Sequence, residues 1–591
     1  MIYVYLFEAK SIQKFLFNSG KLKDVISASE RLDRLIDTSK NSILAQVLHS
    51  ARLESDLFDA NMANQPGLIR FLRCKGGAFY AYCEQPEPLQ KLRSLWTLTV
   101  SQLFPSLTVT DALEQAETLI QAMDKGHKAL AASRNAPQLS FPIAPAIAER
   151  YSRTGNASVP LGDLAKRATH AQESQDDSLD FETEKHRQAY QSFDLRDAAA
   201  LQDRFTPESH IGEIYYPIDF EKEFDFDGSK ESLIKSKREA IKDMALIHID
   251  GNGLGLLLMA LKTELSADDV DNYRNGFRTF SEALNVATEK AAKQSTQELL
   301  ETIKPETRDN KGRFTLPMRP VVLGGDDVTL FCRADLALQY SRTFCKHFKL
   351  ESEQALKPLF EHFLPKSTDL LPYITASGGV LFHKASHPFM QSHHLVEALC
   401  DQAKTLTKSI YGTGKVGPAA LAMYRVSNAT QLSFGEITET SSVHHRVEMG
   451  MQSYFVEEEA EEQTHKRNFG LLGKLCALSM EKDAPVSIAK WRQMATHIAL
   501  DDMEEAKRIY HRCIEQCKNE QAKAQLSELL KRFVPEESTQ KSTAPWCWTV
   551  EKENQYGEQE SAQQTFINDL LIFAHYQPAK TVNLPDCREN I

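Results

Sequence analysis

Three aspartates in this sequence have the type and spacing for phosphoryl chemistry. Asp326 and Asp327 follow Gly324-Gly325 in the stretch Arg319-Pro-Val-Val-Leu-Gly-Gly-Asp-Asp-Val-Thr-Leu-Phe-Cys332. Two apolar runs, Val321–Leu323 and Val328–Cys332, flank the four residues, which predicts strand, tight turn, strand. Adjacent carboxylates at the tip of a buried hairpin repel one another and serve no purpose in a sheet. They suit hard divalent cations, which take oxygen ligands from one or two carboxylates and a substrate's phosphates. The alternative is an ordinary Gly- and Asp-rich turn. Asp250 ends the apolar run Met244-Ala-Leu-Ile-His-Ile249 and precedes Gly251-Asn252-Gly253-Leu254-Gly255. A carboxylate at the carboxyl end of a buried strand is where open α/β sheets place ligand chemistry. If the two strands are neighbours, Asp250, Asp326 and Asp327 converge. Together with Gly251 they form a candidate set for two Mg²⁺ or Mn²⁺ ions about 4 Å apart, the arrangement that polarises both oxygens of a phosphoryl transfer.

Several elements must hold these residues in place. A helix is expected from about Asp268 to Ile303, with Phe277, Phe280, Leu284, Ala287 and Ala291 on one face. Lys304–Arg313 reads as a basic loop, and Lys311, Arg313 and Arg319 read as surface residues, with contact to a triphosphate as the alternative. Tyr373–Phe382 predicts a strand, and a helix from about Phe389 ends in Ala403-Lys404. Ala419–Val426 predicts a last strand. His248 is expected to pack within its strand. His393-His394 and His444-His445 lack carboxylates at ligand spacing and read as surface.

Taken in order, I-H-I-D-G-N-G-L-G, V-V-L-G-G-D-D-V and Y-I-T-A-S-G-G-V-L-F resemble the catalytic palm of the large subunit of type III CRISPR effector complexes. That palm is itself a member of the GGDEF and adenylyl-cyclase superfamily. The resemblance implies that Asn252, Gly253, Gly324, Gly325, Ser377 and Lys404 contact the nucleotide. It implies ATP as substrate, cyclic oligoadenylate as product, and partner subunits carrying guide and target RNA. The family often has a Cys-based zinc site and an HD nuclease domain. This sequence has no C-x-x-C and no His-Asp dipeptide, so neither structural zinc nor DNA cleavage is expected. The same fold allows two alternatives: a stand-alone homo-oligomeric cyclic-nucleotide synthase, and a non-catalytic nucleotide-binding scaffold.

Residues 1–150 read as a degenerate first palm. Ile2–Phe7 is a strand with Glu8 where the second copy has Asp250. Leu68–Cys74, Lys75-Gly76-Gly77 and Ala78–Cys83 repeat the hairpin, with Ala78-Phe79 in place of Asp326-Asp327. F-E-A-K-S-I-Q-K-F and S-G-K-L-K-D-V-I-S-A-S-E also resemble the family's first palm. Residues 151–240 form a polar linker or small insert: Ala171–Glu184 reads as a solvated loop and Phe220–Lys237 as a linker. Residues 241–430 form the catalytic palm and 431–591 a C-terminal helical domain. Within the latter, Glu457–Glu462 is a solvated acidic run, 536–562 a polar tail, and Ala562–Tyr576 a closing helix. The fold class is therefore α+β: two ferredoxin-like palms plus helices.

Composition narrows the function further. With 591 residues, 42% hydrophobic and 25% charged, the chain reads as an ordinary globular protein of several domains. A net charge of −12 argues against a surface that coats nucleic acid broadly, though 69 Lys and Arg leave room for a local basic groove. The ten cysteines are scattered and read as reduced core residues. No apolar run is long enough to span a membrane, and Met1–Leu6 leads straight into Glu8 and Lys10, so a cytoplasmic location is expected.

Overall fold

The computed structural model describes residues 1–18, 21–36, 41–59, 62–63, 65–134, 136, 147–159, 179–195, 199–218, 220, 243–265, 269–303, 311–367, 369–385, 387–426, 442–443, 447–456, 467–534, 544–553 and 559–576. The chain begins with strand β1 (Ile2–Lys10) and helices α1 (Ile12–Phe17), α2 (Leu22–Leu35) and α3 (Ile43–Ser50). The hairpin β2 (Arg70–Lys75) and β3 (Ala78–Cys83) follows, then α4 (Pro86–Leu103), β4 (Thr108–Ala116) and α5 (Leu119–Arg134). The sheet order is β2-β3-β1-β4 and every pairing is antiparallel. The four strands bury alternate or continuous apolar runs such as Val4–Phe7, which is what a half- or fully covered strand requires.

Between the palms lie α6 (Phe181–Ser192), α7 (Ala200–Phe205) and the short strand β5 (Ile214–Tyr215). Here one expectation is corrected. Residues 181–184 are helical, not a solvated loop, and Glu182, Thr183 and His186 are buried. The burial is tolerable because Arg31 of α2 ion-pairs with Glu182 and Arg187 with Asp24, so the charges are partnered. Of the Phe220–Lys237 linker, only Phe220 lies within the described residues.

The second unit repeats the plan of the first. It comprises β6 (Asp243–Asn252), α8 (Leu254–Glu264), α9 (Val270–Ile303), β7 (Phe314–Thr315), the hairpin β8 (Met318–Gly324) and β9 (Asp327–Arg333), α10 (Ala334–His362), β10 (Thr375–Lys384), α11 (Phe389–Tyr411) and β11 (Ala420–Arg425). Strands β5 and β7 pair with each other, and their sheet leads Arg319 inward: its guanidinium is buried and donates to the carbonyls of Tyr216 and Leu195. The surface role expected for Arg319 is thus wrong; it ties the insert to the hairpin strand.

Strands β12 (Ser442–Val443), β13 (Val447–Glu448) and β14 (Ser453–Phe455) follow, and β14 extends the second sheet to the order β14-β11-β10-β6-β9-β8. Its β8-β9-β6-β10 portion has the same order as β2-β3-β1-β4. Alternate residues of β6 enter opposite layers: Ala245, Ile247 and Ile249 join the core that includes α9 and α10 residues, while Met244 and Leu246 join residues of α11 and the first palm. Helices α12 (Phe469–Met480), α13 (Ile488–Ala499), α14 (Met503–Gln516) and α15 (Glu520–Phe533) come next. The chain then forms β15 (Cys547–Glu553), β16 (Gln559–Thr565) and α16 (Ile567–His575). The described part of the region read as a polar tail therefore contains two paired antiparallel strands, with Trp546 and Trp548 buried, and the closing helix starts at Ile567 instead of Ala562. The acidic run at 457–462 and His444-His445 lie outside the described residues. Among the described residues, no helix is long and apolar enough to cross a membrane.

Candidate active site

The hairpin closes on the pair Gly324–Asp327, leaving Gly325-Asp326 as its two-residue turn. Gly325 has φ of +61°, which the first position of such a turn requires and a side chain would resist. Strand β9 pairs antiparallel with β6 up to Ile249–Val328, so Asp250 stands across from Asp327 one residue further on. The structure thus brings together Asp250, Asp326 and Asp327, residues separated by more than seventy positions. Gly251 permits the close approach: a Cβ there would lie 2.9 Å from Asp326 Cβ and 2.7 Å from Leu254 Cδ1. No atom would lie within 4 Å of a Cβ built at Gly324 or Gly325, so the tip faces open space.

The electrostatics are those of crowded anions. Burial works to raise the Asp250 carboxyl, but the Lys404 ammonium and a hydrogen bond with Asp326 outweigh it and hold the group below its ordinary value. Burial, the charge of Asp250 and that hydrogen bond push the Asp326 carboxyl up to about 8. Asp327 rises to about 8 through burial and the charges of Asp250 and Glu397. Lys404, on the last third of α11, donates to Asp250 Oδ2 and is its counter-ion.

The other candidates occupy a layer behind. Asn252 Nδ2 donates to Ser377 Oγ at 2.8 Å and to Thr375 Oγ1 at 3.1 Å, and both Asn252 and Ser377 are buried. Ser377 Oγ also accepts from the Ala420 amide at 3.2 Å. These side chains lock β6, β10 and β11 together instead of facing the opening. Gly253 adopts φ of +91° where α8 begins. The hairpin itself is anchored from two sides. Thr288 of α9 donates to the Gly325 carbonyl, and Arg204 of α7 donates to the Leu323 carbonyl at 3.3 Å while pairing with Asp33.

Two histidines lie beside the acids: His248 is buried in its strand as expected, but its polar partners were not foreseen. His248 Nδ1 lies 2.9 Å from Thr329 Oγ1 and 3.3 Å from Asp327 Oδ1. His393, expected at the surface, is buried against Phe17, with ring centroids 4.2 Å apart, and its Nδ1 meets Glu397 at 3.3 Å. His394 is exposed, as expected. The signal available for His248 was its place two residues before Asp250, which puts both on one face of a strand.

The first palm shows the same frame without the acids. Glu8 pairs with Ala78, and Lys75–Ala78 closes the β2–β3 hairpin around Gly76-Gly77. Ala78 therefore stands where Asp327 stands and Gly77 where Asp326 does, one residue earlier than the Ala78-Phe79 equivalence expected from sequence. Phe79 packs against Phe7 and Trp96 instead. Arg134, the sixteenth residue of α5, ion-pairs with Glu8, as Lys404, the sixteenth of α11, pairs with Asp250.

Could the acids hold a metal? Among the described residues, no three His, Cys, Asp or Glu side chains are arranged as a ready ligand group. The donor chemistry nevertheless fits a hard cation: three carboxylates, with Asp327 Oδ1 buried and accepting no hydrogen bond.

Comparison with known proteins agrees with this geometry. Residues 243–410 match the family model for the Cas10/Cmr2 second palm domain. No curated protein matches the chain. Among solved structures, a Csm1–Csm4 cassette in complex with cA4 is similar at 12% identity and a TM-score of 0.38, covering 81% of this chain and 62% of that one. Csm1 of T. onnurineus is similar at 12% identity and a TM-score of 0.39, covering 90% and 70%. The chain thus spans 62% of the length of the cassette chain it matches. The strand order, the hairpin and the family match thus agree: residues 243–410 are similar to the second palm domain of the Cas10/Cmr2 family.

Proposed function

We propose that this chain joins ATP into cyclic oligoadenylate within a type III CRISPR effector complex, with Asp250, Asp326 and Asp327 as its catalytic carboxylates. The observation that carries the proposal is the β6–β9 register, which sets Asp250 opposite Asp327 with Asp326 at the adjoining turn. The three carboxylates would hold Mg²⁺ or Mn²⁺, together with the Gly251 backbone. The chemistry such ions supply at a site of this kind is activation of a ribose 3′-hydroxyl and stabilisation of charge on the α-phosphate as pyrophosphate leaves.

The chain's own groups position and neutralise. The open space over Gly324 and Gly325 admits a triphosphate to the hairpin backbone. Lys404 balances the carboxylates until the substrate complex forms, and its ammonium can then turn to the phosphates. Asn252, Ser377 and Thr375 keep the strand carrying Asp250 in register. No side-chain nucleophile is needed, because positioning and electrostatics supply most of phosphoryl-transfer catalysis.

The test is an assay of ATP consumption and cyclic product for the chain alone and assembled with its partner subunits, with and without complementary RNA. Product is expected from the assembled, RNA-bound complex, and its loss in Asp326→Ala/Asp327→Ala with the melting temperature retained. Unchanged turnover in the double variant would sink the site. Full activity of the lone chain, indifferent to RNA, would point to a stand-alone synthase and leave the three-aspartate site standing.

A further inference from the structure

His248 is a polar group in a layer that is otherwise apolar. Its side chain shares a face of β6 with Leu246, and the layer above contains Phe331, Phe389, Val396 and Leu399. Burying an imidazole there costs free energy unless its nitrogens find partners. The register pairs His248 with Thr329, two residues behind Asp250 and Asp327 and so on the same face. Its Nδ1 therefore reaches both Thr329 Oγ1, at 2.9 Å, and Asp327 Oδ1, at 3.3 Å. That oxygen is buried and, among the described residues, accepts no hydrogen bond, so the imidazole meets it as a close contact at ion-pair distance. Yet the Asp327 side chain as a whole keeps 36% of its surface accessible, so the opening lies on the other side of the carboxylate.

The imidazole is also held from behind. His393 stands 5.9 Å from it, centroid to centroid, and is itself seated on Phe17 and bonded to Glu397. The ring thus lies between the hairpin and His393.

We infer that His248 is a positioning residue: its imidazole, bonded to Thr329 and 3.3 Å from the inner oxygen of Asp327, backs that carboxylate so that the outer oxygen is presented beside Asp250 and Asp326 for cation capture. This rests on the metal-binding reading of the three aspartates. A purely structural imidazole would serve only to fill the layer, and a leucine would replace it without effect on the carboxylate. Groups that orient ligands from behind typically change metal affinity by about ten- to a hundredfold when removed.

The test uses the full chain and Mn²⁺ as probe, titrated by the loss of the free-ion EPR signal, with melting in EDTA measured in parallel. His248→Leu is expected to weaken Mn²⁺ binding about ten- to a hundredfold while melting near wild type in EDTA. His248→Asn, whose amide nitrogen falls close to the Nδ1 position, is expected to recover most of that affinity. Thr329→Val, which leaves the N–H to Asp327 alone, is expected to bind Mn²⁺ at least as well as wild type. This variant keeps the question decidable if the leucine variant does not fold. Wild-type affinity in His248→Leu, no recovery in His248→Asn, or weakened binding in Thr329→Val would each overturn the inference while the metal site stands. A wild-type chain that shows no Mn²⁺ binding sensitive to Asp326→Ala/Asp327→Ala would remove both.

Discussion

At the scale of single residues, the site is defined by how its charges are balanced. Asp250 is held below its ordinary value by Lys404, so the pair contributes stability above the ordinary carboxylate range and loses it as pH falls through the depressed value. Lys404→Met removes the counter-ion and leaves three carboxylates facing one another. In EDTA near neutral pH the variant is expected to melt lower than wild type, and the gap should close on acidification, as Asp250 takes up a proton in both chains. Addition of Mn²⁺ should stabilise the variant more than the wild type, because the cation replaces the missing charge. Melting curves with EDTA and with Mn²⁺ at several pH values check this; equal midpoints in EDTA at neutral pH would contradict it. Asn252 and Ser377 show the complementary lesson, since their hydrogen bonds go to each other and to neighbouring strands.

At the scale of elements, the palm is braced from the side remote from the acids by its last helix. Asp569 of α16 accepts from the Met451 and Gln452 amides and from the Tyr454 hydroxyl, all at Oδ2, and so fastens the helix to the turn before β14. Tyr576, just beyond α16, donates to Asp243 Oδ2 at 2.7 Å and stacks on Phe382 at 4.1 Å. Asp243 begins the strand that Asp250 lies near the end of. Burial pushes the Asp569 carboxyl up to about 6 from an ordinary 3.8, against the hydrogen bonds that favour its anion. The folded chain therefore binds this proton more tightly than the unfolded one. The residue's contribution to stability falls as pH rises between those two values and is level above them. Asp569→Asn keeps an oxygen for the same donors and removes the titration. Its melting temperature should be flatter with pH across that window than the wild type's, and an unchanged slope would refute this account.

At the scale of the molecule, two palms of one strand order are joined by packing and by charge. Phe17 of α1 packs on Phe389 and His393 of α11, within the layer that contains Leu246 and Phe331. On another side, Asp56 of the first palm is fully buried, with Oδ1 accepting the Phe71 amide and Oδ2 paired with Arg274 of α9. Arg70 adds a second pairing, to Asp271, whose side chain is exposed and adds little. Arg274→Met strands the Asp56 carboxylate in the interior. That should cost about 3 to 5 kcal/mol, measured by urea unfolding. If the palms unfold as one body, hydrogen exchange of β1 in the first palm and of β6 in the second should lose protection together. A loss confined to one palm would show that the interface does not couple them.

The sequence by itself determined much of the frame. A strand–Gly-Gly–strand pattern, a carboxylate ending a buried strand, and a second hairpin in the first palm are local features, written in period-two apolar runs and in glycines where the chain must reverse. The α+β class follows from them, whereas the repeated strand order is seen only in the folded sheets. What the tertiary structure decided is relational. The one-residue difference in the first hairpin, Gly77 and Ala78 in place of Asp326 and Asp327, depends on which residues close the turn and is invisible to composition. The burial of Arg319, the pairing of Asn252 with Ser377, and the place of His393 beneath Phe17 each join residues about a hundred or more positions apart. Trp546 and Trp548 lie in a stretch whose Ser, Thr, Gln and Glu read as solvated, yet their rings have a core to enter because α12–α16 assemble around them. His248 belongs to the same class. Its strand was legible, but its neighbour across the sheet, and hence its contact with Asp327, was set only when β9 took its register.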